Sequence, residues 1–246
     1  MRTFTISTLL ILFSGLAIIS CNEPGKKENQ AVAKQKPGTA GELKHGLVKT
    51  KKQGRLKTEV TYKKGLKHGP SKIYYDNSDQ VMLEMNYVDG LREGKSTKYY
   101  QHGKVYAITP YKADKVDGIR KLYYRNGQLK AEVPYKTNMV GVGTVGYTTS
   151  GASVESPKIT YDNVVMGSTP AYLFSAEGCR RATFYVGQLV DGKYFSEEPK
   201  YVTALPADGD TRAVKTKETL PAKFTIICDC YAQGGYPYIL TRSFTQ

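Results

Sequence analysis

The chain has 246 residues, 36 of them Lys or Arg and 22 Asp or Glu, for a formal charge of +14; it contains twenty tyrosines and no tryptophan. An apolar share of 40% suffices for a core and excludes wholesale disorder, and only one apolar run, near the N-terminus, approaches a membrane span. The charge is uneven: residues 26–140 carry 25 Lys or Arg against 11 Asp or Glu, while residues 141–246 carry 10 of each. This asymmetry predicts two modules, the first suited to an anionic partner such as lipid headgroups, an acidic glycan or an acidic protein. The competing reading is a lysine-rich surface that only keeps a β-rich chain soluble.

The first segment reads as an address. Arg2 gives a short basic start, Leu9 to Ile19 is an apolar stretch broken by Ser14 and Gly15, and Ile18-Ile19-Ser20-Cys21 closes it. A run this short, followed at once by polar residues, predicts a signal segment and not a spanning helix. It resembles a bacterial lipoprotein signal, whose lipobox places the modified cysteine where Cys21 stands. The resemblance implies a signal over residues 1–20, lipidation of Cys21 and a lipid-anchored place in the cell envelope, with Asn22 pointing to the outer membrane. Residues 21–41 have no apolar period and predict a flexible tether.

Residues 42–157 repeat with tyrosine as the ruler. Tyr62, Tyr87, Tyr111 and Tyr135 are 25, 24 and 24 residues apart, a spacing that signals an array of one small supersecondary unit. Before each lies a two-residue alternation that predicts one strand face: Leu56, Thr58, Val60; Val81, Leu83, Met85; Val105, Ala107, Thr109; Leu129, Ala131, Val133. Lys130, Glu132 and Pro134 then fall on a face expected to meet solvent. A second strand in each unit ends in a tyrosine pair, Tyr74-Tyr75, Tyr99-Tyr100 or Tyr123-Tyr124, and the best copy turns at Asn126-Gly127, a pair suited to a two-residue hairpin loop. Three residues after each ruler tyrosine stand Gly65, Gly90, Asp114 and Asn138, types that tolerate a left-handed backbone.

These residues resemble the bacterial variant of the MORN repeat, over roughly residues 43–150, with three good copies and degenerate ends. The resemblance implies an all-β architecture of stacked hairpins in one elongated sheet. It implies a binding or scaffold role, and in some bacterial proteins an antitoxin or immunity role against a secreted toxin.

Residues 158–246 contain short strand-like runs separated by turns such as Asp191-Gly192 and Gly234-Gly235, which predicts a small β-sandwich or barrel. Its three cysteines, Cys179, Cys228 and Cys230, predict one disulfide with Cys179 at one end. Cys228 and Cys230 share a strand face and are poorly placed to bridge each other, so either can be the partner and one thiol is left over. A metal site is not expected, because this half has no histidine to complete a Cys-x-Cys pair.

Nothing in the chain assembles a catalytic set. His45 and His68 precede glycines at one repeat position, and Asp76, Asp89, Asp114 and Asp117 lie in turns. No phosphate loop, dinucleotide fingerprint or zinc helix motif is present; a carboxylate pair from Glu197-Glu198 or from Asp208 and Asp210 is the one enzyme alternative. No cofactor is implied. Nucleic acid is disfavoured because the ruler tyrosines fall on the core-facing alternation and the signal directs the chain to the envelope. The expectation is therefore a lipid-anchored, non-enzymatic protein in which Lys63, Lys64 and Lys67, with Arg120, Lys121 and Arg125, engage an acidic partner or an anionic envelope component.

Overall fold

The computed structural model describes residues 43–205, 213–216 and 220–245; the expectations for the signal segment, Cys21, the tether, Asp208 and Asp210 lie outside them. Every regular element among the described residues is a β-strand. A large antiparallel sheet contains β1 (Gly46–Lys52), β2 (Arg55–Lys63), β3 (Leu66–Tyr74), β4 (Val81–Val88), β5 (Leu91–Arg92), β6 (Gly94–Tyr99), β7 (Val105–Lys112), β8 (Lys115–Val116), β9 (Gly118–Tyr123), β10 (Leu129–Lys136), β11 (Met139–Val140) and β12 (Val145–Gly146). The strands run in chain order, with β5, β8 and β12 as short segments on β4, β7 and β10. Each repeat is thus one long strand and one broken strand. The break lies at Glu93 and Asp117, whose amides bond back to the carbonyls of Asn86 and Pro110 at 3.0 and 3.1 Å.

The long strands hold one more residue than a simple alternation allows. Lys57, Met82, Tyr106 and Lys130, again 25, 24 and 24 apart, are skipped by the pairing as β-bulges. Residues after each bulge keep the expected face, as in Ile73↔Leu83, Lys98↔Ala107 and Leu122↔Ala131. Before it the phase flips. Leu56, Val81, Val105 and Leu129 therefore sit opposite Lys51, Tyr74, Tyr99 and Tyr123 on the other face, which corrects the four-residue sets read from the sequence.

The turns divide into two rows at opposite strand ends. One row has two central residues with positive φ: Lys64-Gly65, Asp89-Gly90, Ala113-Asp114 and Thr137-Asn138. Each of these is a two-residue hairpin loop, and Gln53-Gly54 between β1 and β2 makes another at the opposite strand end. In the other row Gln53-Gly54 and then Asn77 take positive φ in the first two turns, Gly103, Gly127 and Gly151 do so at the next three repeat positions, and the bonds Tyr124 N to Gln128 O and Gly127 N to Tyr124 O close a three-residue loop. Asn126-Gly127 thus makes a longer turn than the dipeptide suggested.

The later strands, β13 (Lys158–Met166), β14 (Thr169–Glu177), β15 (Cys179–Gly187), β16 (Val202–Ala204), β17 (Ala213–Thr216), β18 (Lys223–Ala232) and β19 (Pro237–Thr245), form two sheets, β13-β14-β17 and β16-β15-β18-β19. Phe174 of one sheet meets Phe244 of the other edge-on with ring centres 5.7 Å apart, so the pair forms a small sandwich. Cys179 is joined to Cys230 across neighbouring strands with Cα atoms 5.7 Å apart, and Cys228 is a buried free thiol.

Leu43–Gln246 is one compact unit, and its core crosses residue 157. A single cluster joins Ala107, Leu122, Ala131 and Val133 of the large sheet to Phe174, Phe184, Cys228, Tyr236 and Tyr238 of the sandwich. The face of the sheet that carries these residues is its inner face. Side chains along one inner row shrink towards the sandwich, through Leu122 and Ala131 to Gly146, where a Cβ would collide with the Tyr236 hydroxyl. The outer face is covered there as well. Tyr194 lies against Gly141 beside Pro134, and Phe195 N bonds Val140 O at 2.8 Å; Pro134 is buried, and Glu132, held by Lys121 and Tyr147, is half-buried, where solvent was expected.

Candidate interaction surface

The repeat places like residues in rows across the strands, and each row has its own chemistry. On the outer face the pairing runs Lys49↔Glu59↔Lys72↔Glu84↔Thr97↔Ile108↔Lys121↔Glu132. Opposite charges directly across antiparallel strands attract, and three contacts close: Lys49–Glu59 at 2.7 Å, Lys72–Glu84 at 3.3 Å and Lys121–Glu132 at 2.9 Å. The first tyrosine of a pair adds its hydroxyl to the glutamate of the preceding strand, Tyr74 to Glu59 at 2.9 Å and Tyr99 to Glu84 at 2.8 Å, and the single Tyr147 at the same repeat position does so to Glu132 at 3.1 Å. Bonds from Lys49 and then Tyr74 hold the Glu59 carboxyl below its usual range, and burial with the bond to Glu59 pushes Tyr74 up to about 12. In the third unit Ile108 replaces the glutamate, and the Tyr123 hydroxyl has no hydrogen bond among the described residues.

The second tyrosine of each pair fastens its repeat to the next. Tyr75, Tyr100 and Tyr124 donate to the backbone carbonyls of Tyr99, Tyr123 and Tyr147 at 2.6, 2.8 and 2.8 Å. The ruler tyrosines are half-buried and carry cations: Lys44 lies 5.3 Å from the Tyr62 ring centre, Lys67 4.9 Å from Tyr87 and Arg92 4.3 Å from Tyr111. Val116 takes the cation's position before Tyr135, whose ring packs against the shared core instead. Arg92 also donates to Asp114 at 2.8 Å; burial raises the Asp114 pKa, but the bonds from Arg92 outweigh it and hold the carboxyl below its usual value.

The candidate binding residues do not form one patch. Lys63 and Lys64 are exposed in a turn of the first row, whereas Lys67 turns onto the inner face over Tyr87. Arg120 occupies the inner-face position of the buried Ser71 and Ser96, pairs with Val133 and buries an Nε that has no partner among the described residues. Lys121 is on the opposite face and engaged with Glu132, while Arg125 is exposed in the second row of turns, 5.8 Å from the Tyr100 ring centre. Arg120 and Lys121 are adjacent in sequence and therefore point to opposite faces of their strand.

Two cations that the sequence reading passed over join Lys63 and Lys64. Lys112 and Lys115 are exposed, make no ion pair among the described residues, and flank Ala113-Asp114 in the same row of turns. Counting two repeats on from Lys63 reaches Lys112, so the repeat period itself held the signal. Between the two turn rows, the part of the inner face beyond the sandwich presents Val60, Ile73, Leu83 and Met85, all half-buried, with Lys98 at the border of the covered part. The sheet thus offers an apolar strip flanked by tyrosines, with free lysines at one margin.

A family model described as the MORN repeat variant matches residues 92–113 and 116–137. The two matched segments start at Arg92 and Val116 and each ends in a turn of the first row, so each spans one structural repeat. No curated protein matches the chain.

Proposed function

We propose that this is a binding or scaffold protein held at a bacterial cell envelope through lipid on Cys21, and that its repeat sheet engages an acidic protein. A repeat-based binding role follows from the repeats; the anchor and the partner's acidity are the added claims. The observation that supports the second is the distribution of the basic excess. Lys49, Lys72 and Lys121 are neutralised by glutamates on the outer face, which leaves Lys63, Lys64, Lys112 and Lys115 as an unpaired cationic margin beside an open apolar strip. Such a margin speeds encounter with an acidic partner, and the strip gives contact area. An immunity role is the narrower version, with a secreted toxin as that partner.

The test is capture from envelope and secreted fractions by the full chain and by a variant with all four lysines changed to Glu, beside a control with Arg180→Glu and Lys223→Glu in the electrically neutral half. Loss of the same captured protein in the fourfold variant alone supports the reading; equal capture by it contradicts the reading. Cys21→Ser should move the protein from the membrane to the soluble fraction, and retention of that variant in membranes contradicts the anchor.

A further inference from the structure

Among the described residues β1 is the outermost strand at one side of the large sheet and leaves a free edge there. Among the described residues β1 pairs with β2 alone, so its other side presents alternate backbone N–H and C=O groups without a ladder partner. The segment that forms this edge is itself rich in bases. Residues 43–58 hold Lys44, Lys49, Lys51, Lys52, Arg55 and Lys57 and no acid, and Lys51 and Lys52 make no ion pair among the described residues.

The repeat register says what would fit there. In β3 and β6 the residue opposite Val81 or Val105 is a tyrosine, Tyr74 or Tyr99, and it reaches back to a glutamate on the strand before it, Glu59 or Glu84. In β1 the residue opposite the equivalent Leu56 is Lys51. Lys51 therefore stands where the repeat positions a group for a preceding carboxylate, and no preceding strand is present among the described residues. Lys49, two residues earlier on the same face, continues the row of alternating charge, in which the next place outward belongs to an acid. A second copy of β1 has no acid to set against either lysine in any register, whereas an acidic strand satisfies both.

We propose that the free edge of β1 receives an extended acidic segment of a partner protein as an added antiparallel strand, with one of its carboxylates opposite Lys49 and within reach of Lys51. This rests on the proposed acidic partner and names the form in which it is recognised, by main-chain pairing plus register-specific charge. The apolar strip and the lysine margin remain available to the rest of that partner.

The full chain is titrated with a labelled peptide alternating Glu and Val, with its Lys-Val counterpart, and with the acidic peptide N-methylated on alternate amides in each of the two phases. The acidic peptide should bind and protect amides of Gly46–Lys52 from hydrogen exchange, and one methylation phase should weaken it by more than about tenfold, the equivalent of 1.4 kcal/mol. Lys51→Glu, which breaks no ion pair, should weaken the acidic peptide and gain affinity for the Lys-Val peptide. Binding that is indifferent to methylation in both phases overturns strand addition while leaving the acidic-partner reading intact, and so does failure of the peptide to bind a chain that still captures its acidic protein. Loss of all acidic binding overturns both.

Discussion

Changing Tyr75, Tyr100 and Tyr124 to Phe removes three hydroxyls and leaves the rings in place. Each hydroxyl crosses one repeat junction, at 2.6, 2.8 and 2.8 Å, to a carbonyl of the next unit. A hydrogen bond of this kind contributes about 1 kcal/mol net, and the three serve separate junctions, so the triple variant should lose about 3 kcal/mol. In a unit of this length each kcal/mol shifts the midpoint by about 2–4 °C, which puts the triple variant about 6–12 °C below the parent. The built-in control is Tyr123→Phe. That hydroxyl has no hydrogen bond among the described residues, because Ile108 stands where Glu59, Glu84 and Glu132 stand in other units, so its loss should leave melting unchanged. Thermal unfolding followed by circular dichroism, repeated in urea, gives both numbers. The reasoning fails if the triple variant melts with the parent, or if Tyr123→Phe costs as much as Tyr124→Phe.

Three further outcomes are expected. Cys179→Ala removes a cross-link between residues 51 apart, and the chain-entropy relation gives a loss of about 4 kcal/mol, readable as the urea midpoint under oxidising conditions and absent when both proteins are reduced. Gly146→Ala forces a methyl into the Tyr236 hydroxyl, and overpacking of about 1–3 kcal/mol should appear with altered near-ultraviolet signal from Tyr236 and Tyr238. Asp229→Asn should stabilise the fold at neutral pH: burial first, and then the Glu197 charge, raise the Asp229 pKa above its ordinary 3.8, with Arg181 opposing. The folded chain then binds more protons than the unfolded one as pH rises from 3.8 towards the raised value, so the carboxylate costs stability above that window. The variant's advantage should vanish as pH falls to the ordinary carboxylate range.

The repeat was legible because it is written in spacing. Tyr62, Tyr87, Tyr111 and Tyr135 marked the long strands, and Gly65, Gly90, Asp114 and Asn138 marked the left-handed turn positions that the backbone adopts. The bulges were hidden, since Met82, Tyr106 and Lys130 share a position but no residue type, and only pairing shows that they are skipped. Burial was hidden for a related reason. The alternation suggested one continuous dry face, whereas Val60 and Leu83 remain half-buried and Ala131 and Val133 are wholly buried, because the sandwich covers one end of the sheet and sequence periodicity carries no record of a docking domain. The seven later strands were visible as runs between turns. The choice of Cys230 over Cys228 was not, since both lie on one face of β18 and only the pairing of Ala182 with Cys230 brings that cysteine near Cys179.

The candidate site was read from charge alone, and there the sequence misled in a definite way. Arg120 and Lys121 look like a doublet, yet strand alternation sends one to the inner face beside Val133 and the other to Glu132. The ruler rings, expected as large buried side chains, are half-buried under Lys44, Lys67 and Arg92, so truncating Tyr87 removes a cation–aromatic contact as well as apolar area.

Hydrogen exchange on the full chain, with and without the acidic protein it captures, tests the central claim most directly. The account predicts slowed exchange in β1 to β8, residues 46–116, strongest in Gly46–Lys52 and in the turn that holds Lys63 and Lys64, with β13 to β19 unchanged. Slowed exchange confined to residues 158–245 would place the partner on the sandwich and reduce the repeats to a spacer.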